Sequence, residues 1–244
     1  DEFPKNWYNI VPDLAKSVKK LAEPKDSKRI GRMEEYMAPS LLAQETSRDR
    51  EIPIPDDVRR DLIWVGRPTP LQRANRLEDF LKTPAKIYYK REDITYSTTS
   101  KTNTAIPQAY YIAKDGFEKI VGGGGAQWGS ALSIGAVYQK LKCDFIMPQS
   151  YLELKEPHRI LMEVNQVSVL GSPSGTTDVG KKVRKEKKYE TGNVSLSMSE
   201  AIEKATEEEK SAFAFGNFFN FVMLHQTISG LEAKKQFELI GKYP

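Results

Sequence analysis

The sequence predicts an α/β fold, a three-layer parallel sheet with helices on both faces. Three observations carry this prediction. From residue 85 onward, short runs rich in aromatic and β-branched residues alternate with longer runs of helical period. The polar and glycine-rich loops fall after strands, as they do in doubly wound sheets. A chain of 244 residues, 39% hydrophobic and 29% charged, is long and mixed enough to bury a real core.

Residues 1–60 are proline-rich and irregular, with short helices expected around 14–21 and 32–47. Arg67-Pro68-Thr69-Pro70-Leu71 reads as extended, because each residue before a proline is pushed out of the helical region. Residues 71–81 have helical period, 85–90 read as a strand, and 91–100 as a polar loop. A helix over 103–115 ends at Gly116, as a C-terminal glycine should make it. The short strand 119–121 runs into Gly122-Gly123-Gly124-Gly125, followed by a helix over 127–141 and a strand over 144–147. Then come a helix over 153–165, a strand over 167–170, and a helix over 197–209 capped by Ser197 or Ser199. A long helix over 218–240, with Gly230 as its place to kink, completes the order β, α, β, α, β, α, β, α. Crossovers are expected to be right-handed, and ligands to sit outside the carboxyl ends of the strands. The loop holding Lys101 and the glycine run both belong at that end.

Composition excludes several classes of function. The net charge of +4, from 37 basic and 33 acidic residues, gives no argument for nucleic acid. The basic stretch 181–188 has no interleaved aromatic residue and reads as a solvated helix face. Two histidines and one cysteine leave the usual zinc constellations out of reach, so no metal site is expected. Cys143 cannot form an internal disulfide and reads as a small buried hydrophobe in a reducing compartment. No apolar run approaches a bilayer span, and Asp1-Glu2-Phe3-Pro4 does not open a signal peptide, so a cytoplasmic location is expected.

The glycine run is a potential anion site. Backbone N–H groups at a helix start, free of side chains, favour phosphate or carboxylate, although a flexible turn has the same pattern. Lys101 stands among Ser97, Thr98, Thr99, Ser100, Thr102, Asn103 and Thr104, ahead of a helix. Cation at that position opposes the helix dipole, and desolvation there makes an amine a usable nucleophile. By itself such a lysine reads as a surface residue. His225, inside an apolar helix, reads as a hydrogen-bonded packing residue. Glu92 and Asp93 read as loop-shaping groups, and Phe213, Phe215, Phe218, Phe219 and Phe221 as core.

Taken together, several segments carry a resemblance. Lys90-Arg91-Glu92-Asp93, Ser100-Lys101-Thr102-Asn103-Thr104-Ala105 and Gly124-Gly125-Ala126-Gln127-Trp128-Gly129, with residues 7–14, 67–71, 109–111 and 224–236, resemble the β chain of tryptophan synthase. The likeness is to its second, archaeal-type subgroup. It implies a fold-type II pyridoxal 5'-phosphate (PLP) enzyme condensing L-serine with indole to L-tryptophan and water. Lys101 falls where the family's cofactor lysine stands, and Asn103 where a residue lies beside the cofactor ring oxygen. Gly123, Gly124, Gly125, Ala126, Gln127 and Trp128 match the loop that binds the substrate carboxylate. The resemblance further implies that 61–100 contribute to a second domain and that 101–210 form the N-terminal α/β domain, with a mobile communication region over roughly 120–205. Residues 211–244 would then be a long helix leading into the remainder of the second domain. A homodimer is implied, with weak or no association with an α subunit.

The sequence also departs from the family. Aligned on Gln127-Trp128-Gly129, the family's acidic residue becomes Gly122, which has no group for acid–base work. Its loop threonine becomes Gly123, a loop glycine becomes Ala126, the histidine before the lysine becomes Ser100, and a glycine becomes Thr98, which is strained if that position needs positive φ. The family continues past Pro244 into a glycine-rich phosphate cradle, so poor cofactor affinity is expected unless a partner completes the site. Two alternatives therefore stand beside tryptophan formation: an inactive or impaired truncated relative, and a serine deaminase-type PLP activity.

Overall fold

The computed structural model describes residues 3–14, 33–186 and 191–242. The helix expected at 14–21 lies outside them except for Leu14. Within the expected 32–47 helix, Pro39–Thr46 (α1) forms a regular α-helix; Pro39 sits in its first turn, where the missing N–H has no intrahelical partner to lose. The N-terminal part is less irregular than expected. Asn6–Tyr8 (β1) pairs antiparallel with Glu51–Pro53 (β2), and Asp56–Trp64 (α2) is a helix opened by two aspartates that favour its positive end.

Two expectations for 71–90 are corrected. Residues 71–73 are not helical: Leu71–Arg73 (β3) is a strand, and the helix begins only at Asn75–Leu81 (α3). Pro70 sends the chain in extended, and β3 pairs antiparallel with Tyr88–Lys90 (β4), Leu71 opposite Lys90. The strand near 85–90 therefore lies outside the parallel sheet that the β, α alternation placed it in.

Among the described residues the parallel sheet has four strands. These are Lys119–Gly123 (β5), Lys142–Pro148 (β6), Ser168–Ser172 (β7) and Ser211–Ala214 (β8), in the order β7-β6-β5-β8. Sequence reading treated the β8 stretch as generic core. Its four residues are all buried, although β8 lies at the end of the described strand order. One layer of helices comprises Thr102–Lys114 (α4) and Ala126–Tyr138 (α5), packed on each other and on the sheet. Tyr151–Leu154 (α6) and Glu156–Val164 (α7) follow β6, and α7 packs on α5. The helix expected over 153–165 is split at Lys155, because Pro157 at the start of α7 has no N–H to continue α6. Asp178–Glu186 (α8) carries the described part of the basic stretch, its lysines and arginine exposed. Val194–Glu207 (α9) covers the opposite face of the sheet, across β5 and β6. Asn220–Leu239 (α10) is one continuous helix through Gly230.

The core is continuous. Ile120, Val121, Phe145, Ile146, Phe213 and Leu132 are fully buried at the sheet, and Cys143 is buried with its thiol pushed up by burial. Four of the five phenylalanines near β8 are wholly or partly buried; Phe218 is 84% exposed. No described helix is long and apolar enough to cross a membrane.

Candidate active site

Lys101 occupies the N-cap position of α4, at the end of a loop that bonds to itself. Thr95 donates to the carbonyl of Thr99 at 3.1 Å, and Ser97 bonds Thr102. Thr98 does take a positive φ, +56°, in the turn where Thr98 N–H meets Thr95 O at 2.7 Å. Gln226 of α10 donates to Ser100 O at 3.0 Å and pins the loop from the other side. These bonds fix where Lys101 leaves the backbone.

The Lys101 amine is half-buried, and burial alone lowers its pKa from the ordinary lysine value. It donates to Gly216 O at 2.6 Å and to the side-chain oxygen of Asn217. Gly216 leaves the end of β8, and α4 holds that exit in place. Gln108, two turns beyond Lys101, donates to Phe215 O at 2.7 Å and accepts from Phe215 N at 2.9 Å. A β-carbon on Gly216 would lie 2.8 Å from Cγ of Trp128, so only glycine lets the strand exit lie against that indole. Gly216 thus stands between the Lys101 amine and the start of α5.

The expected carboxylate loop divides into two parts. Gly122 and Gly123 finish β5 inside the sheet. A β-carbon on Gly123 would meet Ser197 O at 2.6 Å, which places α9 directly on the strand. Gly124 turns the chain at φ +127° and spends its N–H on Ile146 O at 2.9 Å. Gly125 is the N-cap of α5, with open space where a side chain would stand. Ala126 and Gln127 begin the helix, where N–H groups have no intrahelical acceptor. The indole N–H of Trp128 is buried without a partner. These groups lie across Gly216 from an amine whose pKa burial lowers.

Asn103 is fully buried and committed to a charged network. Its amide donates to Glu92 at 2.9 Å, and its oxygen accepts from Arg67. Arg67 also meets Glu232 at 2.9 Å and Glu92 at 2.8 Å, while Lys90 meets Glu232 at 2.7 Å. Burial works against the Glu92 carboxylate, yet Arg67, Thr69 and Asn103 hold it down at about 2. Asp93 instead turns outward to Arg91, so the two neighbours do separate jobs. His225 is the packing residue expected: buried between Thr104 at 3.0 Å and Gln44 at 2.9 Å, and pushed by burial down to about 3. Sequence reading missed Gly216, Asn217 and Gln108. The one available signal was a glycine ending the apolar run Phe213-Ala214-Phe215, which marks a strand exit.

The fold is shared with known lyases and deaminases. An L-serine ammonia-lyase from Rhizomucor miehei superposes with a TM-score of 0.55 over 70% of this chain and 47% of its own, at 15% identity. A threonine deaminase from Solanum lycopersicum gives 0.55 over 86% of this chain and 46% of its own, again at 15% identity. The architecture defines the class: the fold of the fold-type II PLP enzymes. No protein-family model matches the sequence. Curated relatives are specific, however. Tryptophan synthase beta chain 2 of Methanothermobacter thermautotrophicus is 41% identical over 245 residues, covering 100% of this chain and 57% of the relative. Its counterpart in Pyrococcus furiosus is 40% identical over 97% of this chain and 54% of the relative. The tryptophan synthase beta chain of Pyrococcus horikoshii is 42% identical over 96% and 52%. The chain is a homologue of the tryptophan synthase β chains along its whole length, and it spans about half the length of the curated relatives it matches.

Proposed function

We propose that this chain carries the lysine side of a tryptophan synthase β-type site, with PLP held on Lys101 and L-serine and indole as substrates for L-tryptophan formation. One observation carries the reading: a partly desolvated amine, bonded to no carboxylate among the described residues, faces the strand exit that abuts the glycine-started helix α5. The residues present fit the cofactor's lysine end, since burial favours the neutral, nucleophilic amine and Gly125 faces open space. Bound PLP would supply an electron sink for the substrate carbanion. Lys101 would anchor it and move the substrate α-proton. The N–H groups of Gly125, Ala126 and Gln127, with the unpaired indole N–H of Trp128, would orient the substrate carboxylate. Asn103 would flank the cofactor ring only by leaving part of its bonding to Arg67 and Glu92. In the same reading β3, β4 and the 61–100 segment belong to a second domain. The chain works as a homodimer in the cytoplasm without a tightly bound α subunit.

Mixing the purified chain with PLP should give an absorbance band characteristic of a lysine adduct, absent in Lys101→Ala. No band at saturating PLP would sink the cofactor assignment. Serine turnover is then followed with and without indole. Tryptophan supports the main reading. Pyruvate regardless of indole supports deamination, the second reading favoured by the missing side chain at Gly122. Cofactor binding with neither product identifies an impaired homologue.

A further inference from the structure

The corner after β8 offers the Lys101 amine two acceptors on consecutive residues, and the two differ in kind. Gly216 is buried, and Gln108 anchors the residue before it. Asn217 is exposed, and among the described residues its side-chain oxygen accepts from Lys101 alone. The next residue, Phe218, has φ +73°, in the left-handed region that disfavours an aromatic residue, and its ring is 84% exposed. This corner is therefore turned without any gain from packing Phe218, while its polar side points at the amine. A carbonyl oxygen and an amide oxygen can only accept hydrogen bonds, and both accept more strongly from an ammonium than from a neutral amine, so the pair favours the protonated form. Among the described residues no charged group is bonded to Lys101. The charged cluster of Arg67 with Glu92 and Glu232 reaches α4 at Asn103 and not at Lys101. Hydrogen bonding that favours the ammonium thus opposes burial, which favours the neutral amine.

We propose that the Gly216–Asn217 corner is a resting dock for the Lys101 amine, and that Asn217 is the positioning residue that keeps it an ammonium beside Trp128 until a carbonyl compound arrives. To attack a carbonyl carbon, the ammonium must release one proton to water, which frees its lone pair, and loosen its hold on Asn217 so that the lone pair can turn to the carbonyl. The docked form is thereby protected from adventitious aldehydes, and undocking becomes a step that precedes cofactor attachment. This inference rests on the reading of Lys101 as the reactive amine.

The test reads the lysine and not the loaded enzyme. The cofactor-free chain is acetylated with trace acetic anhydride across a pH series, and Lys101 modification is followed by mass spectrometry in the parent, Asn217→Ala and Asn217→Asp. Removing the acceptor should move the labelling midpoint down and raise labelling near pH 8 about threefold, a part-exposed hydrogen bond to a charged group being modest in size. The aspartate should move the midpoint up by about one pH unit, slowing labelling below it ~10-fold, because an opposite charge favours the ammonium. Opposite shifts are not what a general loosening of the corner gives. Midpoints that coincide in all three proteins, or that shift in the same direction, overturn the dock. Asn217 is exposed, so neither change removes core packing, and if alanine disturbs the corner the aspartate shift alone decides. Failure of the PLP band with opposite labelling shifts would refute the cofactor reading and leave the dock standing. A PLP band with unmoved midpoints would do the reverse.

Discussion

A β-carbon on Gly122 would lie 2.4 Å from Cδ2 of Leu132 and 2.9 Å from the Phe145 ring, both fully buried. The side-chain direction at this position points into the sheet–helix core. Restoring the family's acidic residue here therefore requires the core to move. Gly122→Ala should destabilise the chain by about 1–3 kcal/mol through overpacking. Gly122→Glu should cost more, because it also buries an unpaired carboxylate. Urea unfolding of the three proteins checks this; a Gly122→Glu chain as stable as the parent would show that the side chain finds another way out. The same residues show what sequence could and could not reveal. Lys101 was legible because a string of hydroxyl and amide residues around it matches a family. Its acceptors were not, since Gly216 and Asn217 lie 115 and 116 residues away and meet it only through the β5–β8 pairing.

At the scale of elements, α9 decides how closely the glycine strand is covered. It rests on Gly123, and Val194 and Met198 lie 3.6 and 3.9 Å from a β-carbon placed on Gly124. Its start was misread at Ser197 or Ser199. Both serines are inside the helix, bonding back to the carbonyls of Asn193 at 2.9 Å and Ser195 at 3.1 Å. The cap is Asn193, whose side chain accepts from Leu196 N–H at 2.9 Å. Periodicity placed the helix correctly, but Ser and Asn are all good caps and nothing local ranks them. Asn193→Ala should lower stability by about 1 kcal/mol and speed amide exchange first at 194–197. Unchanged exchange there would mean that packing on the glycine strand, and not the cap, fixes this end. β8 escaped detection for a related reason: Ser211-Ala212-Phe213-Ala214 is short and has no β-branched residue, so its strand character comes from burial between neighbours.

Across the whole molecule, the charged cluster of Arg67, Lys90, Glu92 and Glu232 joins the antiparallel pair β3–β4 to α4 and α10. Its members are up to 165 residues apart, and no local pattern announces it. Burying these charges is tolerable only because each finds a partner. That makes the assembly acid-sensitive in a predictable direction. The Glu92 carboxyl is lowered from its ordinary 4.5 to about 2, so the unfolded chain takes up its proton first as pH falls. The stabilisation is complete above about pH 4.5 and disappears as pH approaches 2, with a size on the order of 3 kcal/mol. His225, lowered from 6.5 to about 3 by burial, adds a loss of the same sign that begins nearer pH 6.5. The two are separable by substitution. Glu92→Gln should weaken the fold at neutral pH yet flatten the stability curve between about pH 4.5 and 2, while leaving the upper, histidine-linked part in place. Chemical unfolding midpoints across that range measure it. A Glu92→Gln chain that loses stability below pH 4.5 as steeply as the parent would place the acid sensitivity in other carboxylates and leave this cluster as packing alone.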